Sequence, residues 1–296
     1  MQFFRNKTVL SFLTTLFVFL GLAGVVASNE PVAPATVIAQ TGFGKGIDEP
    51  VVIEQPSRKK FAIVIGIVYD NYELGEISYA DQDAGSMYRL LTERFGFPRE
   101  NVILLQNAQA NRKNILDAFG WLADNPDIDE ESDVVVFYSG HGLRTAPDAG
   151  LNLPGVPEAY ALVPFDFMNF DYKKGQGLFW DAELAAYLDG IDAGRMWINI
   201  DSCFAGGFNR PGITGANRIV TMSSRSNELS SEIPEAQRGA MMQYMVEQGV
   251  ARGLTIEQAY TQAVPWAFLR YGQNPLIADN YPGNMDLGIS PRSPNN

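Results

Sequence analysis

The chain contains one cysteine and one histidine, and these two residues have types and surroundings that could perform chemistry. Cys203 lies in the segment Asp-Ser-Cys-Phe-Ala-Gly-Gly, and His141 lies in Tyr-Ser-Gly-His-Gly, 62 positions earlier. A free thiol has a pKa of about 8.5, so little of it is thiolate near neutral pH. A neighbouring imidazole that takes the proton lowers the thiol pKa and later protonates a leaving amine. The pair therefore predicts Cys203 as a nucleophile and His141 as its base.

The two residues each follow a predicted strand. Apolar, β-branched runs of this kind are typical of strands buried on both faces of a parallel sheet. The sequence predicts strands at 61–68, 101–105, 133–138, 160–163, 195–200 and 217–222, and helices at 80–95, 111–123, 181–188 (with Asp181 as N-cap), 237–251 and 255–268. This alternation predicts an α/β fold with a mostly parallel sheet. Because sites of such folds lie at the carboxyl ends of the strands, we expect Cys203 and His141 to meet there.

Glycines next to the two residues permit close approach of a substrate. Gly142 directly follows His141, and without a side chain it can turn its backbone N–H toward a bound peptide. Together with the N–H of Cys203, this group would form an oxyanion hole. Gly142 and Cys203 are therefore the predicted oxyanion residues.

The motifs resemble those of the caspase-like cysteine peptidases, in particular the metacaspases and the prokaryotic orthocaspases. The shared features are a strand followed by Tyr-Ser-Gly-His-Gly and a later strand followed by Asp-Ser-Cys, within about residues 59–268. Asp-Ser-Cys stands where animal caspases have Gln-Ala-Cys-Arg-Gly, which favours the metacaspase-like branch. The resemblance implies a caspase-like three-layer fold with a mostly parallel central sheet flanked by helices. It also implies cysteine endopeptidase activity after Arg or Lys through a Cys-His dyad.

The resemblance further implies a pocket for a basic substrate side chain. In metacaspases, the Asp two positions before the nucleophile and an Asp at the first helix line this pocket, which assigns Asp201 and Asp83 to it. Two carboxylates at about 4 Å would each offer a guanidinium about 4 kcal/mol of gross attraction at an effective dielectric of about 20, and desolvation removes much of this. Ser139 and Asp166 are assigned to the same pocket. The alternative for Asp83 is an interaction with the helix dipole, and for Ser139 a hydrogen bond within a turn.

No cofactor is predicted. With one Cys and one His, the chain lacks the ligands of the usual zinc site. Metacaspases that bind calcium commonly carry an Asp-Asp pair at the helix predicted from residue 181, and this chain has Trp180-Asp181 there. The departure argues against calcium dependence.

Composition limits the partners. The 22 Lys and Arg against 34 Asp and Glu give a formal net charge of −12, which argues against nucleic acid because phosphate binding needs a basic face. The expected partners are polypeptide substrates with Arg or Lys at P1, the residue before the cleaved bond.

The N-terminus predicts export. Residues 1–27 combine basic residues, an apolar run and small residues before Ala27, which is typical of a signal peptide. The run is also nearly long enough for an uncleaved anchor, so membrane contact is expected only through this segment. The chain would be secreted, periplasmic or tethered. A linker is predicted at 28–58, a catalytic domain at 59–275 and a C-terminal tail at 276–296.

Two other classes of function remain open. One is a catalytically weak caspase-like module for binding or signalling, but loss of Cys203 or His141 would be expected there and both are present. The other is a sortase-like cysteine acyl transferase, which would need a basic residue beside the thiol where this chain is expected to have an acidic pocket.

Overall fold

The structure is a computed structural model that describes residues 58–145, 151, 153 and 157–288. The predicted signal peptide or anchor at 1–27, and all but the last residue of the predicted linker at 28–58, lie outside the described residues. Within the described part of the chain, no helix has the length and apolar character needed to cross a membrane.

Strands and helices alternate through most of the described chain. The strands are β1 (Lys59–Gly66), β2 (Val102–Gln106), β3 (Ser132–Ser139), β4 (Gly142–Arg144), β5 (Tyr160–Leu162), β6 (Phe179–Trp180), β7 (Arg195–Asp201), β8 (Arg218–Met222), β9 (Glu232–Ile233), β10 (Arg238–Gly239) and β11 (Leu276–Asp279). The α-helices are α1 (Ala80–Arg89), α2 (Arg112–Ala123), α3 (Asp181–Asp189) and α4 (Ile256–Tyr271).

Six strands form the central sheet in the order β11-β8-β7-β3-β1-β2. All neighbours in it are parallel except β11, which runs antiparallel to β8. The predicted mostly parallel α/β fold is confirmed. The strand predicted at 160–163 lies outside this sheet, because β5 pairs with β4 and β6 in a small antiparallel sheet. Strands β9 and β10 form a separate antiparallel pair.

The central sheet is buried on both faces. Along β1, Phe61, Ile63 and Ile65 belong to one apolar cluster, whereas Ala62 and Val64 belong to a second. This alternation is the period of two expected of a strand, whose side chains point to opposite faces. Helices α2 and α3 contribute to the first cluster, and α1 and α4 to the second. Two helical layers therefore enclose the sheet.

Two predicted helices differ from those observed. The helix predicted at 80–95 is α-helical only to Arg89 and continues as a π-helical turn at Leu90–Arg94. The helix predicted at 237–251 is only partly formed, because β10 occupies its start, a π-helical turn spans Met242–Glu247 and a 3-10 turn follows at Val250–Arg252. Ala240, Met241 and Met242 are all buried and belong to the second apolar cluster.

The folded body extends beyond residue 275, where the sequence suggested the start of a tail. Strand β11 pairs with β8 along four residues, and Met285 and Leu287 are buried. The Lys60 ammonium donates a hydrogen bond to the Leu287 carbonyl at 2.8 Å. Residues 276–288 therefore belong to the same body as β1.

Candidate active site

Cys203 and His141 lie at the same edge of the central sheet. Strands β3 and β7 are parallel neighbours, and their last residues, Ser139 and Asp201, are in register. His141 and Cys203 each follow two residues later. Both line one cleft of about 300 Å³, and its other lining residues are Leu74, Glu76, Ile77, Ser139, Gly140, Asp201, Ser202, Leu229, Ser230, Ser231, Glu232 and Gly239.

The His141 ring is held in a buried environment. The His141 backbone N–H donates to the Tyr69 hydroxyl at 3.2 Å, and the centroids of the His141 and Tyr69 rings lie 4.6 Å apart. The Tyr138 hydroxyl donates to the His141 carbonyl at 2.8 Å. Burial lowers the pKa of His141 to about 4, although a hydrogen bond with the Gly75 backbone opposes this shift. The imidazole is therefore neutral near pH 7, and its buried Nε2 has no hydrogen-bond partner among the described residues, so it can accept a proton.

The Cys203 thiol is protonated at rest. Burial raises its pKa above the ordinary value, the negative charge of Asp201 raises it further, and a hydrogen bond from the Ser230 backbone opposes both. Burial is the largest of these causes, and the lowering of the thiol pKa by the imidazole stays a prediction. A neutral thiol beside a neutral imidazole can still react if the proton moves to His141 as the sulfur attacks.

The two predicted oxyanion residues are brought into contact. A Cβ atom added to Gly142 would lie 2.1 Å from the Cys203 carbonyl oxygen, so only glycine fits at this position. After the thiol, Phe204 has a φ of 60°, in the left-handed region that non-glycine residues rarely adopt. The role of the Gly142 and Cys203 N–H groups in stabilising an oxyanion stays a prediction.

The two predicted pocket acids converge at Gly239. A Cβ atom added there would lie 2.6 Å from Asp201 Oδ2 and 2.9 Å from Asp83 Oδ2. The Gly239 N–H donates to Asp83 Oδ2 at 3.0 Å, and the Ser139 hydroxyl donates to the same oxygen at 3.3 Å. Asp83 Oδ1 and Asp201 Oδ2 are buried and have no hydrogen-bond partner among the described residues. Asp201 lines the cleft, whereas Asp83 lies buried behind Ser139 and Gly239, and each acid keeps one oxygen without a partner among the described residues.

These carboxylates hold protons more tightly than exposed ones. Burial raises the pKa of Asp83 to about 8, and the neighbouring Asp201 contributes to the rise. Burial also raises the pKa of Asp201, and the negative charge of Glu232 adds to the effect. A cation that enters the pocket would lower the pKa of both acids, because it favours the charged form of each.

The structure adds two residues to the cleft that sequence reasoning missed. The Ser230 hydroxyl donates to Asp201 Oδ1 at 2.7 Å. The Glu232 carboxylate accepts the backbone N–H groups of Ser78 and Tyr79, the latter at 2.8 Å, and so holds the chain that leads into α1. The sequence offered only a Ser-Ser-Glu run in an unassigned segment, which does not distinguish a cleft from an ordinary loop.

Asp166 does not line the cleft. Its Oδ1 accepts the backbone N–H of Arg112 at 2.8 Å, which satisfies a free donor at the first residue of α2. It borders a separate surface groove with Arg112 and Trp180. The assignment of Asp166 to the substrate pocket is therefore corrected to a contact at the start of a helix.

The start of α3 differs from the sequence prediction, and its first acidic side chain is paired with an arginine. Asp181 is the first residue of the helix, with Trp180 rather than Asp181 at the N-cap. The Asp181 carboxylate pairs with the Arg210 guanidinium at 2.6 Å. Within the described ranges, no group of three or more His, Cys, Asp or Glu side chains is placed to hold a metal.

Comparison with known proteins agrees with this architecture. Residues 59–265 match the family model described as the caspase domain. Metacaspase-4 of Arabidopsis thaliana is 36% identical over 155 residues, which are 50% of this chain and 34% of that protein. Metacaspase-1 of Schizosaccharomyces pombe is 30% identical over 158 residues, again 50% of this chain and 34% of the relative. The matches thus span about a third of these relatives' length.

A solved structure supports the fold alone. The crystal structure of a Geobacter sulfurreducens protein superimposes with a TM-score of 0.55 at 19% identity, covering 74% of this chain and 92% of that one. The caspase-domain match extends over well more than half of the sequence. The chain therefore belongs to the caspase-domain family of cysteine peptidases. The resemblance to metacaspases that Tyr-Ser-Gly-His-Gly and Asp-Ser-Cys indicated is confirmed.

Proposed function

We propose that this protein is a cysteine endopeptidase that cleaves polypeptides after Arg or Lys. The observation that carries the proposal is one cleft lined by the chain's only thiol, its only imidazole and Asp201, with Asp83 buried against the lining residues Ser139 and Gly239 and each acid keeping one unpaired oxygen. A cationic P1 side chain would satisfy those oxygens, whereas an acidic one would be repelled. The fork of a guanidinium suits two acceptors especially well.

The reaction follows from the same groups. Cys203 sulfur attacks the peptide carbonyl carbon as its proton passes to His141, which gives a tetrahedral intermediate whose oxyanion the N–H groups of Gly142 and Cys203 would stabilise. His141 then protonates the leaving amine, and the carbon–nitrogen bond breaks to leave a thioester. Water, deprotonated by His141, hydrolyses the thioester and restores the thiol.

The two alternatives are less well supported. No Lys or Arg is among the described residues that line the cleft, and a sortase-like acyl transferase would need one beside the thiol. A binding module without activity would not require a neutral imidazole with an unpaired Nε2 in the same cleft as a thiol. Export, by a signal peptide or an N-terminal anchor in residues 1–27, and independence from calcium are also part of the proposal.

The test uses the full chain and fluorogenic peptides that differ only at P1. Arg and Lys should be cleaved, whereas citrulline, which has nearly the shape of Arg without its charge, and Asp should not. Asp201→Asn should lower kcat/KM on the Arg peptide by about 10- to 100-fold, because it removes a charged acceptor. Cys203→Ala and His141→Ala should each abolish cleavage while the circular dichroism spectrum stays unchanged.

Other outcomes would reject parts of the proposal. Activity that survives Cys203→Ala would remove the nucleophile assignment. Equal cleavage after Arg and citrulline would contradict the assignment of the acidic pocket but not that of the Cys203–His141 dyad. Transfer of the acyl group to added hydroxylamine without hydrolysis would favour the acyl transferase.

A further inference from the structure

Arg210 joins three separate segments of the chain. Its Nε donates to the Gly207 carbonyl at 3.0 Å, in the turn that follows the thiol. Its Nη2 donates to the Glu158 carbonyl at 2.7 Å, just before β5. Its Nη1 pairs with Asp181 at the start of α3 at 2.6 Å, and its carbon Cζ lies 4.9 Å from the centroid of the Tyr160 ring.

The Asp181 carboxylate, which pairs with Arg210, is buried and depends on a nearby positive charge. The Asp181 side chain is 3% exposed, whereas that of Arg210 is 37% exposed. Burial raises the pKa of Asp181 and the Arg210 charge acts in the opposite direction. An unpaired carboxylate in this position would carry a large desolvation cost, so the guanidinium holds the turn and α3 together.

The turn that Arg210 holds is tight and begins at the nucleophile. A Cβ atom added to Gly207 would lie 2.0 Å from the Tyr160 ring, so the turn packs directly on β5. Phe204, between Cys203 and this turn, is in the unfavourable left-handed region, which persists only when surrounding contacts enforce it. On its other side, the Gly206 N–H donates to the Ser224 carbonyl at 2.8 Å. Arg210 supplies the contacts on the β5 side.

We propose that Arg210 is a positioning residue for the nucleophile. It fixes the turn after Cys203 against β5 and α3 by hydrogen bonds to two carbonyls and an ion pair, and it supplies from the chain itself the positive charge that Asp181 requires. On this proposal, Asp181 needs no divalent cation to balance its charge, and turnover should not depend on an ion at α3. The inference rests on the proposed role of Cys203, and it adds to that role a residue seven positions later that acts through the backbone.

The test compares Arg210→Gln and Arg210→Lys with Arg99→Gln. Arg99 is a matched control because, among the residues described, its one ion pair is with Glu93 on the surface. Arg210→Gln should lower kcat on the Arg peptide at least tenfold and change KM less than twofold, because the pocket carboxylates lie on α1 and β7. Arg210→Lys keeps a charge for Asp181 but cannot reach both carbonyls, so its kcat should fall between those of Arg210→Gln and the wild type. Arg99→Gln should behave as the wild type.

A second readout does not depend on peptide cleavage. Cys203 is the only thiol, so the rate of alkylation by iodoacetamide reports its placement directly, and this rate should change at least threefold in Arg210→Gln. In one possible outcome, neither the wild type nor any variant cleaves peptides, but the alkylation rates differ as expected. The proposed function then fails, whereas the positioning role of Arg210 stands. The wild type should keep its activity in excess EGTA.

Three results would overturn the inference. The first is a kcat for Arg210→Gln within twofold of the wild type. The second is a loss that occurs only in KM, or only at temperatures where the variant has begun to melt, since either indicates a purely structural effect. The third is loss of wild-type activity in EGTA that calcium restores. Should Arg210→Gln fail to fold, Arg210→Lys decides, measured at a temperature well below the melting transitions of both Arg210→Lys and the wild type, and an unchanged kcat there rejects the role.

Discussion

At the scale of single residues, the two reactive side chains are uncharged in the resting site. His141, with a pKa of about 4, is neutral, and the Cys203 thiol keeps its proton because burial and Asp201 raise its pKa. The reactive thiolate must therefore form during attack. A cationic P1 side chain next to Asp201 would cancel part of the charge that opposes ionisation, so we expect the correct substrate to help activate the nucleophile.

The raised pKa of Asp83 makes stability depend on pH. Its pKa is about 8 in the folded chain against an ordinary value of 3.8, so the folded state binds more protons than the unfolded state between these values. Stability contributed by this group is therefore lost as pH rises from about 4 through 8, by at most about 1.4 kcal/mol per pH unit. Asp83→Asn cannot ionise and should remove that part of the slope.

Urea denaturation from pH 5 to pH 9 measures this difference. Asp117→Asn serves as the control, because Asp117 is exposed and pairs with Lys113 on the surface of α2. Its stability curve should run parallel to that of the wild type. Parallel curves for Asp83→Asn as well would mean that Asp83 is ionised in the folded chain throughout this range.

At the scale of elements, the β9–β10 pair completes the pocket from a distant part of the sequence. Gly239 in β10 touches both acids, and Glu232 in β9 holds the entry to α1. Gly239→Ala should therefore place a methyl group against two carboxylates, destabilise the fold by about 1–3 kcal/mol and abolish cleavage after Arg. The measurement is chemical denaturation together with kcat/KM.

Gly120→Ala in α2 is the matched control for this substitution. A Cβ atom there has no neighbour within 4 Å, and alanine is the better helix former. Gly120→Ala should stabilise the fold by about 0.5–1 kcal/mol and leave activity unchanged. If Gly239→Ala behaved in the same way, the close packing around the acids would be contradicted.

The elements also show which parts of the site could be predicted from sequence. Local patterns sufficed for β3 and β7, because continuous apolar runs mark buried parallel strands, and parallel pairing then brings His141 and Cys203 to one edge. Asp166 was misplaced because a short motif does not reveal which of the clefts of the fold a side chain borders. Ser230 and Glu232 were missed because a two-stranded element of two residues per strand leaves no periodicity.

At the scale of the whole molecule, the C-terminal segment is part of the catalytic body. Strand β11 covers the outer edge of β8, and the Ile256 N–H donates to the Met285 carbonyl at 2.8 Å. A chain that ends at Pro275 should lose its cooperative thermal transition. The milder change Met285→Ala should lower the free energy of unfolding by about 2–5 kcal/mol, because Met285 is buried. A truncated chain that melts at the full-length temperature would contradict this view.

The bond between Lys60 and the Leu287 carbonyl joins the first strand of the domain to almost its last described residue. Synthesis runs from the N-terminus, and domains generally fold as units once their sequence has been made. The ribosome has therefore completed both reactive residues and all pocket acids by Glu232, yet the domain that aligns them is unfinished until Leu287 has emerged. We therefore expect a nascent chain to carry Cys203 and His141 without an assembled site, so that the proposed cleavage activity begins only after Leu287 has emerged.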